Sequence, residues 1–296
     1  MSSLTIPAST LEPEGTFSAR AIVVDTYRFA LGHAGAILGA VAVPVILAAA
    51  VLLFLFKAYF SLLAYYLSAP SWRVASLTMS VLAAGFFVWL LLNIMACAGV
   101  ARIVRGDGGP HSPGLRRMAL EARLYAAVLR YLAVLAAGAA VSEGLVSFSH
   151  HFLLPRHPDY AALIAWPLFA LFAAVFFVRC GVLLPALAAY ERSRVLRRGW
   201  QLSQGRSWRL AAVGVAVFVI PAIVLQTLGE YLRMLLDNAP FAPNINTLED
   251  AARMMAMNGT ATIVIALSLS ISIAVCQILA TIGSCLAYRR LAAPQA

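Results

Sequence analysis

The chain has 296 residues, of which 62% are hydrophobic and only 11% are charged, and its mean hydropathy is +0.87. Soluble domains are about 45–50% apolar and about 25% charged, so this composition excludes an ordinary soluble fold, a disordered chain and a secreted disulfide scaffold. The net charge of +10 could indicate nucleic acid, but the basic residues lie around apolar stretches and not along one polar domain. We therefore expect no nucleic-acid partner.

Six segments are apolar over the length that a helix needs to cross the roughly 30 Å hydrocarbon core. They predict an all-α protein, an integral membrane bundle of about six transmembrane helices with short cytoplasmic interfacial amphipathic helices. The membrane domain covers residues 34–288, between an N-terminal segment with an interfacial helix (1–33) and a tail (289–296). The predicted spans are about residues 34–56, 76–101, 131–154, 160–184, 210–229 and 260–287.

The placement of the basic residues predicts the orientation of these six spans. With six crossings, 17 of the 22 Lys and Arg residues fall on the side that carries both chain ends, and five fall on the other side. Basic loops stay in the cytoplasm, so both termini are predicted to be cytoplasmic. We expect a multi-pass protein of the bacterial inner membrane.

Two segments that precede spans are similar to each other. Tyr27 is followed by Gly32 before the first span, and Trp200 is followed by Gly205 before the fifth. Each pattern predicts a surface helix that ends at a glycine in the left-handed conformation. In the first helix, Val24 and Leu31 are expected to share an apolar face with Tyr27. In the second, a polar stripe recurs at helical spacing, formed by Arg194, Arg197, Arg198 and Gln201.

Four polar residues lie within or at the ends of the predicted spans, namely Asn93, Glu143, Gln226 and Gln277. Such residues can line a pathway through a bundle, which would suit a transporter or channel for a lipid-like or small amphipathic solute. They can equally form hydrogen bonds between helices. Glu143 is expected near the outer end of the third span, at the membrane interface.

The sequence offers little chemistry for catalysis, metal binding or cofactors. His150, His151 and His157 lie in one outer loop with Asp159, but their spacing matches no standard metal site. The four cysteines show no C-x-x-C spacing and are predicted to be buried core residues. Because no hydrolase or nucleotide-binding motif occurs, we expect no enzyme activity, no metal and no cofactor.

The segment from Arg179 to Leu210 combines an arginine, a Pro185 break, an acidic residue and an arginine- and tryptophan-rich run before the next span. It resembles the membrane domain of the glycerophosphoryl diester phosphodiesterase family and of related six-span bacterial proteins. The matching positions are Arg197, Trp200, Leu202, Gly205, Trp208 and Arg209. Gly199 departs from the pattern, which has serine there. The resemblance implies a membrane module without phosphodiesterase activity, because the family's catalytic (β/α)₈ barrel needs about 250 further residues.

Together these features predict a non-enzymatic membrane protein that binds membrane lipids, through anionic headgroups, or a protein partner. The negative potential of the inner leaflet attracts basic residues at that surface. A homo-oligomer is a further possible partner, and the arginines could also serve topology alone. The predicted arginine-rich belt consists of Arg179, Arg194, Arg197, Arg198, Trp200, Arg206, Trp208 and Arg209.

Overall fold

The computed structural model describes residues 18–68, 71–106, 114–148, 159–191, 194–237 and 259–292. These ranges contain helices and no β-strand, which confirms the all-α prediction. The α-helices and two π-helical segments, in chain order, are α1 (Ala19–Gly32), α2 (Ala34–Ser68), α3 (Trp72–Arg105), α4 (Gly114–Phe148), α5 (Asp159–Phe176), π1 (Phe177–Gly181), α6 (Leu184–Tyr190), α7 (Val195–Leu202), α8 (Ser207–Gly214), π2 (Val215–Val219), α9 (Ile220–Asp237) and α10 (Gly259–Ala292).

Among the described residues, six helical stretches are long and apolar enough to cross a membrane, which agrees with the predicted number of spans. The chain is therefore built as a multi-pass membrane protein. The six stretches are Ala34–Tyr66, Trp72–Arg105, Met118–Phe148, Ile164–Tyr190, Ser207–Gly229 and Ala266–Ala292.

The third span begins earlier than predicted, because α4 runs without a break through the arginines that were assigned to a loop. Arg130 lies on an exposed face of α4, and Arg123 donates from Nε to the carbonyl of Ala119 at 3.2 Å. Leu120 and Leu124 of the same segment are buried. Arg123 and Arg130 are seven residues apart and therefore lie on one side of a continuous helix. The predicted end of this span, residue 154, lies outside the described residues.

The last helix, α10, is the centre of the bundle. It contacts α1, α2, α3, α6, α9 and π2. In its most apolar window 56% of the residues are buried, against 11–28% in the other five spans. Ile282, Cys285 and Ala287 are fully buried on it.

Glycines permit close crossings between the helices. A Cβ atom added at Gly99 would lie 3.4 Å from both the Cβ and the carbonyl oxygen of Ala40, where α3 meets α2. A Cβ atom at Gly229 would lie 2.6 Å from the Cβ of Ser268, where α9 meets α10. Small residues at such crossings let helix backbones approach closely, which is how helices gain packing energy within lipid.

The helix of the fourth span breaks near Pro185, as predicted, but the span continues past its predicted end at residue 184, to Tyr190. The α5 helix continues into π1, and α6 then begins with Pro185 in its first turn. The break leaves backbone N–H groups of α6 without partners inside the helix. One of them, the N–H of Ala186, donates to Oγ of Ser284 on α10 at 3.0 Å. A side chain from the central helix thereby replaces a lost backbone hydrogen bond inside the membrane-spanning bundle.

The fifth span contains π2, where side chains from neighbouring helices bond to the backbone. The hydroxyl of Tyr27 donates to the carbonyl of Ala216 at 2.9 Å. The Cys276 thiol of α10 contacts the carbonyl of Phe218 at 3.4 Å. Burial raises the pKa of Tyr27 above its ordinary value, so the phenol remains a donor through neutral pH.

Helix α1 is docked on the bundle, and its buried face differs from the predicted one. Ile22 and Thr26 are completely buried, whereas Val24 and Leu31 are exposed. A Cβ atom added at Gly283 of α10 would lie 3.3 Å from Oγ1 of Thr26, which shows how closely the two helices pack. The helix thus buries a second stripe that hydrophobic spacing did not indicate, because it includes a threonine whose hydroxyl donates to the carbonyl of Ile22 in its own helix.

Of the two predicted left-handed glycines, the structure confirms one. Gly205 has φ of +70° in the turn between α7 and α8. Gly32 is the last residue of α1 and does not have a positive φ, because α2 follows almost at once at Ala34. Gly106 has φ of +81° and caps the C-terminal end of α3.

Candidate functional site

The ends of three helices meet at one end of the bundle. Tyr190, the last residue of α6, stacks on Tyr288 of α10 with ring centroids 5.0 Å apart and an angle of 12° between the rings. Arg289 donates from Nε to the Tyr190 hydroxyl at 3.0 Å, and from Nη2 to the carbonyl of Val104 at 2.8 Å. The end of α10 is thereby joined to both α6 and α3.

Arg105 completes this junction from the end of α3. It donates from Nη1 to the carbonyl of Ala189 at 2.7 Å, and its guanidinium lies 5.3 Å from the centroid of the Tyr190 ring. Arg105 and Arg289 therefore bond to helix-end carbonyls and to an aromatic ring, an arrangement that stabilises helix C-termini. The sequence had identified both residues only as contributors to topology.

Glu191 connects this junction to α7. Its Oε1 atom accepts a hydrogen bond from the Tyr288 hydroxyl at 2.8 Å and lies 3.5 Å from Nε of Arg198. The backbone of Glu191 is extended, with φ of −98° and ψ of 143°, and this conformation ends α6. Sequence analysis missed Glu191 as a site residue, because its partner Tyr288 is 97 residues away along the chain.

The polar stripe of α7 lines an open surface depression of about 240 Å³ beside Glu191. We call this depression the arginine pocket, and its lining residues are Glu191, Arg194, Arg197, Arg198 and Gln201. The four residues of the predicted stripe thus surround one depression.

The arginine pocket is incompletely neutralised. Glu191 contacts Arg198, but within the part of the chain that the structure describes no carboxylate pairs with Arg194 or Arg197. Both of these side chains are exposed, as are Arg198 and Gln201. Guanidinium groups present several N–H donors in a planar fork that matches phosphate and carboxylate oxygens.

Arg194 begins α7 in an unusual backbone conformation. It has φ of 55° and ψ of 34°, the only positive φ of a non-glycine residue among the described ranges. A left-handed conformation costs an L-residue with a Cβ atom about 1–2 kcal/mol. The surrounding structure therefore imposes the position of Arg194 at the edge of the arginine pocket.

Gly199 lies where α7 packs closely against the broken fourth span. A Cβ atom added there would lie 2.9 Å from Cδ1 of Leu187 and 3.3 Å from the carbonyl oxygen of Arg179. Gly199 therefore permits a close approach of α7 to π1 and α6. At the same contact, the guanidinium of Arg179 lies 4.3 Å from the centroid of the Trp200 ring.

The remaining belt residues lie beyond the turn at Gly205. Arg206 is the residue that precedes α8, and Trp208 and Arg209 lie in its first turn. Trp208 is 86% exposed, the most exposed large hydrophobic side chain of the described residues. The predicted belt is therefore divided: Arg179 packs on Trp200, three arginines line the arginine pocket, and Arg206, Trp208 and Arg209 do not line it.

The four intramembrane polar candidates have different environments. Asn93 is buried and donates from Nδ2 to the carbonyl of Trp89 at 2.7 Å, within its own helix. Glu143 is exposed near the end of α4, and Gln226 is half-buried on α9. Oε1 of Gln277 is buried on α10 without a partner among the described residues. Because α4 packs mainly against α3, α5 and α6, Glu143 does not lie at the contact between α9 and α10, the helices that carry Gln226 and Gln277.

The histidines of the predicted outer loop, His150, His151 and His157, lie outside the described residues. The four cysteines lie within them, and none forms a disulfide. Cys180, Cys276 and Cys285 are buried and Cys97 is half-buried, in agreement with core positions for the first three.

No family model, curated protein or solved structure matches the chain.

Proposed function

We propose that this integral membrane protein binds anionic lipid headgroups at the cytoplasmic face of the bacterial inner membrane, through the arginine pocket and without enzymatic activity. The observation that carries the proposal is the presence of Arg194, Arg197 and Arg198 around one open depression. Among the described residues, Arg198 is the only one of these three arginines that pairs with Glu191. Phosphate oxygens are the ligands that such exposed guanidinium groups bind best.

The flanking tryptophans support a location at the headgroup level. Trp200 lies on α7 with the arginines, and Trp208 lies on α8 just beyond the turn. Tryptophan is enriched at the boundary between hydrocarbon and headgroups, where its ring is in apolar surroundings and its N–H can bond to water or lipid. An arginine pocket at this depth is within reach of lipid phosphates, and anionic lipid adds about 1 kcal/mol of attraction per basic residue.

The orientation is part of the proposal. The Arg290 side chain near the end of α10 bonds to Asp25 of α1, so α1 and the C-terminal end of α10 meet at the end of the bundle that carries the arginine pocket. The distribution of basic residues supports a cytoplasmic location for this end. An alkaline phosphatase reporter fused after Ala296 is expected to be inactive, because this enzyme is active only in the periplasm. An active fusion would overturn the orientation and the lipid surface assigned to the pocket.

The binding proposal is tested with the triple substitution Arg194→Gln, Arg197→Gln and Arg198→Gln. We expect loss of most of the anionic lipid that the purified protein retains in native mass spectrometry. A matched control removes three arginines elsewhere, the exposed Arg20 and Arg28 and the half-buried Arg123, by the same substitution. The control removes the same net charge and is expected to retain its lipid. Equal lipid occupancy in both triple variants and the original protein would contradict the proposal.

A further inference from the structure

The charge of the arginine pocket restricts the kind of anion that complements it. Its lining contains three arginines and one glutamate, which together carry a charge of +2. Glu191 also accepts the Tyr288 hydrogen bond, so its carboxylate is held in place at the side of the depression. A ligand with one negative charge would leave the arginine pocket positive, whereas a ligand with two would balance it.

The hydrogen-bond donors of the arginine pocket also favour a ligand with two negative charges. Arg194 and Arg197 have no carboxylate partner among the described residues, and Arg198 approaches Glu191 through Nε. No contact of its terminal nitrogens with a carboxylate is found among the described residues, and Gln201 adds an amide. Several N–H donors around one open depression suit a group with three free phosphate oxygens better than one with two.

We infer that the arginine pocket selects lipids whose headgroup is a terminal phosphate monoester over lipids whose phosphate is a diester. This inference rests on the proposed function and specifies its ligand. A phosphate monoester carries a charge of about −1.5 to −2 at neutral pH and has three acceptor oxygens. A phosphodiester carries one negative charge and has two free oxygens. The monoester therefore matches both the charge and the donor arrangement of the arginine pocket.

The source of the phosphate is a lipid because of where the arginine pocket lies. It opens at the surface of the bundle on α7, the helix that also carries the half-exposed Trp200 beside Arg179 of the fourth span. A lipid phosphate held at the membrane boundary needs no further binding energy to remain close to the pocket, because its acyl chains keep it in the bilayer. A soluble phosphate ester lacks this advantage.

The experiment measures lipid preference in nanodiscs that contain the full chain. Three lipids with identical acyl chains are compared: a phosphate monoester, its glycerol diester and a zwitterionic choline diester. We expect the protein to retain the monoester about tenfold more than the glycerol diester in native mass spectrometry, the size expected for one additional charge-assisted hydrogen bond. Soluble glycerol phosphate, which has the same headgroup without acyl chains, is tested as a competitor and is expected to be much weaker.

The substitution Arg197→Gln reduces the charge of the arginine pocket to +1 and is expected to abolish the tenfold preference. Arg20→Gln is the matched control, because it removes one exposed arginine outside the arginine pocket, and its preference is expected to be unchanged. Both variants are first compared with the original protein in elution volume and thermal unfolding, so that a folding defect is recognised. If Arg197→Gln does not fold, Arg197→Lys tests the donor arrangement instead of the charge, because lysine keeps the charge but loses the planar fork and should lower the preference.

Different experimental results would contradict the monoester preference and the proposed function separately. Equal retention of the two anionic lipids, with both above the choline lipid, would overturn monoester selection and leave headgroup binding intact. Equal retention of all three lipids would overturn both. Binding of soluble glycerol phosphate as tight as that of the lipid would overturn the assignment to a lipid source. An unchanged preference in a folded Arg197→Gln variant would overturn the assignment to the arginine pocket.

Discussion

The guanidinium of Arg290, near the end of α10, hydrogen-bonds to the carboxylate of Asp25 in the middle of α1, and so joins two helices from opposite ends of the chain. Both side chains are partly buried, with exposures of 26% and 33%. Arg28 also approaches Asp25, at 3.8 Å, but its side chain is 75% exposed. Asp25 thus pairs with a partly buried arginine of another helix, Arg290, and with an exposed arginine of its own helix, Arg28.

The pair between Arg290 and Asp25 is expected to stabilise the docking of α1. In a double-mutant cycle with Arg290→Gln and Asp25→Asn, we expect a coupling free energy of about 0.5–1 kcal/mol, since partial burial limits screening by solvent. The measurement is thermal or denaturant unfolding in detergent. The same cycle with Arg28→Gln should give close to zero. A larger coupling for Arg28 than for Arg290 would contradict the structural ranking of the two pairs.

A methyl group at Gly199 is expected to displace α7. Gly199→Ala should destabilise the protein by about 1–3 kcal/mol, because the new Cβ atom meets Leu187 and the backbone of π1 at distances that require both to move. Gly32→Ala is the matched control, since nothing lies within 4 Å of a Cβ atom there and its φ is not positive. That variant should gain about 0.5–1 kcal/mol, as alanine favours helices more than glycine does. Thermal unfolding midpoints measure the two stability changes, which should have opposite signs.

The conformation of Arg194 predicts opposite effects on stability and binding. Arg194→Gly removes the cost of a left-handed arginine, about 1–2 kcal/mol, and part of that gain is offset by the greater freedom of glycine in the unfolded chain. We expect a net gain of about 0.5–1 kcal/mol together with weaker retention of anionic lipid.

Arg197→Gly provides the comparison for this prediction, because residue 197 lies within the right-handed α7 helix. Glycine there should cost about 1 kcal/mol relative to arginine. Both variants lose one charge of the arginine pocket, so lipid retention should fall in both while the unfolding midpoints move in opposite directions. Equal losses of stability would show that the backbone of Arg194 stores no strain.

The hydroxyl of Tyr27 is expected to stabilise the π2 segment. Tyr27→Phe removes the donor to the Ala216 carbonyl and should cost about 1 kcal/mol at neutral pH. Tyr59→Phe, at an exposed position, should cost nothing measurable.

The Tyr27 contribution also has a defined pH dependence. Because burial raises the pKa of Tyr27 in the folded protein, the unfolded chain loses this proton first, at a pH near 10. The stability that the hydroxyl adds is therefore fully present below pH 10 and declines as the pH rises towards the folded-state pKa. The difference in unfolding midpoint between the original protein and Tyr27→Phe should shrink between pH 9 and pH 11. A difference that grows over this interval would contradict the direction of the shift.

Much of the architecture was predictable because it depends on local composition. Six apolar stretches determine six helices, Pro185 indicates the interruption of the fourth span, and Gly205 indicates a left-handed turn. The stripe of Arg194, Arg197, Arg198 and Gln201 was also visible, since a single short helix brings these side chains to one face.

The remaining features depend on contacts between distant parts of the chain. The role of Glu191 requires Tyr288, and that of Arg105 requires the end of α6, and no local pattern specifies either pairing. Hydropathy identifies α10 as a span but does not rank it as the central one, because lipid and neighbouring helices accept the same apolar side chains. The face of α1 that packs on the bundle was not predicted for a related reason: Thr26 is buried against Gly283, and an apolar stripe does not indicate a polar residue.

The central position of α10 has a consequence for biosynthesis. Every helix that it contacts, including α1, α2, α3, α6 and α9, is synthesised before it. The ribosome and the insertion machinery must therefore hold these segments in the bilayer while the groove that α10 fills is still occupied by lipid. Until Ser284 emerges, the N–H of Ala186 at the start of α6 lacks its acceptor. The nascent protein reaches its packed state only when its sixth crossing has been translated and has displaced that lipid.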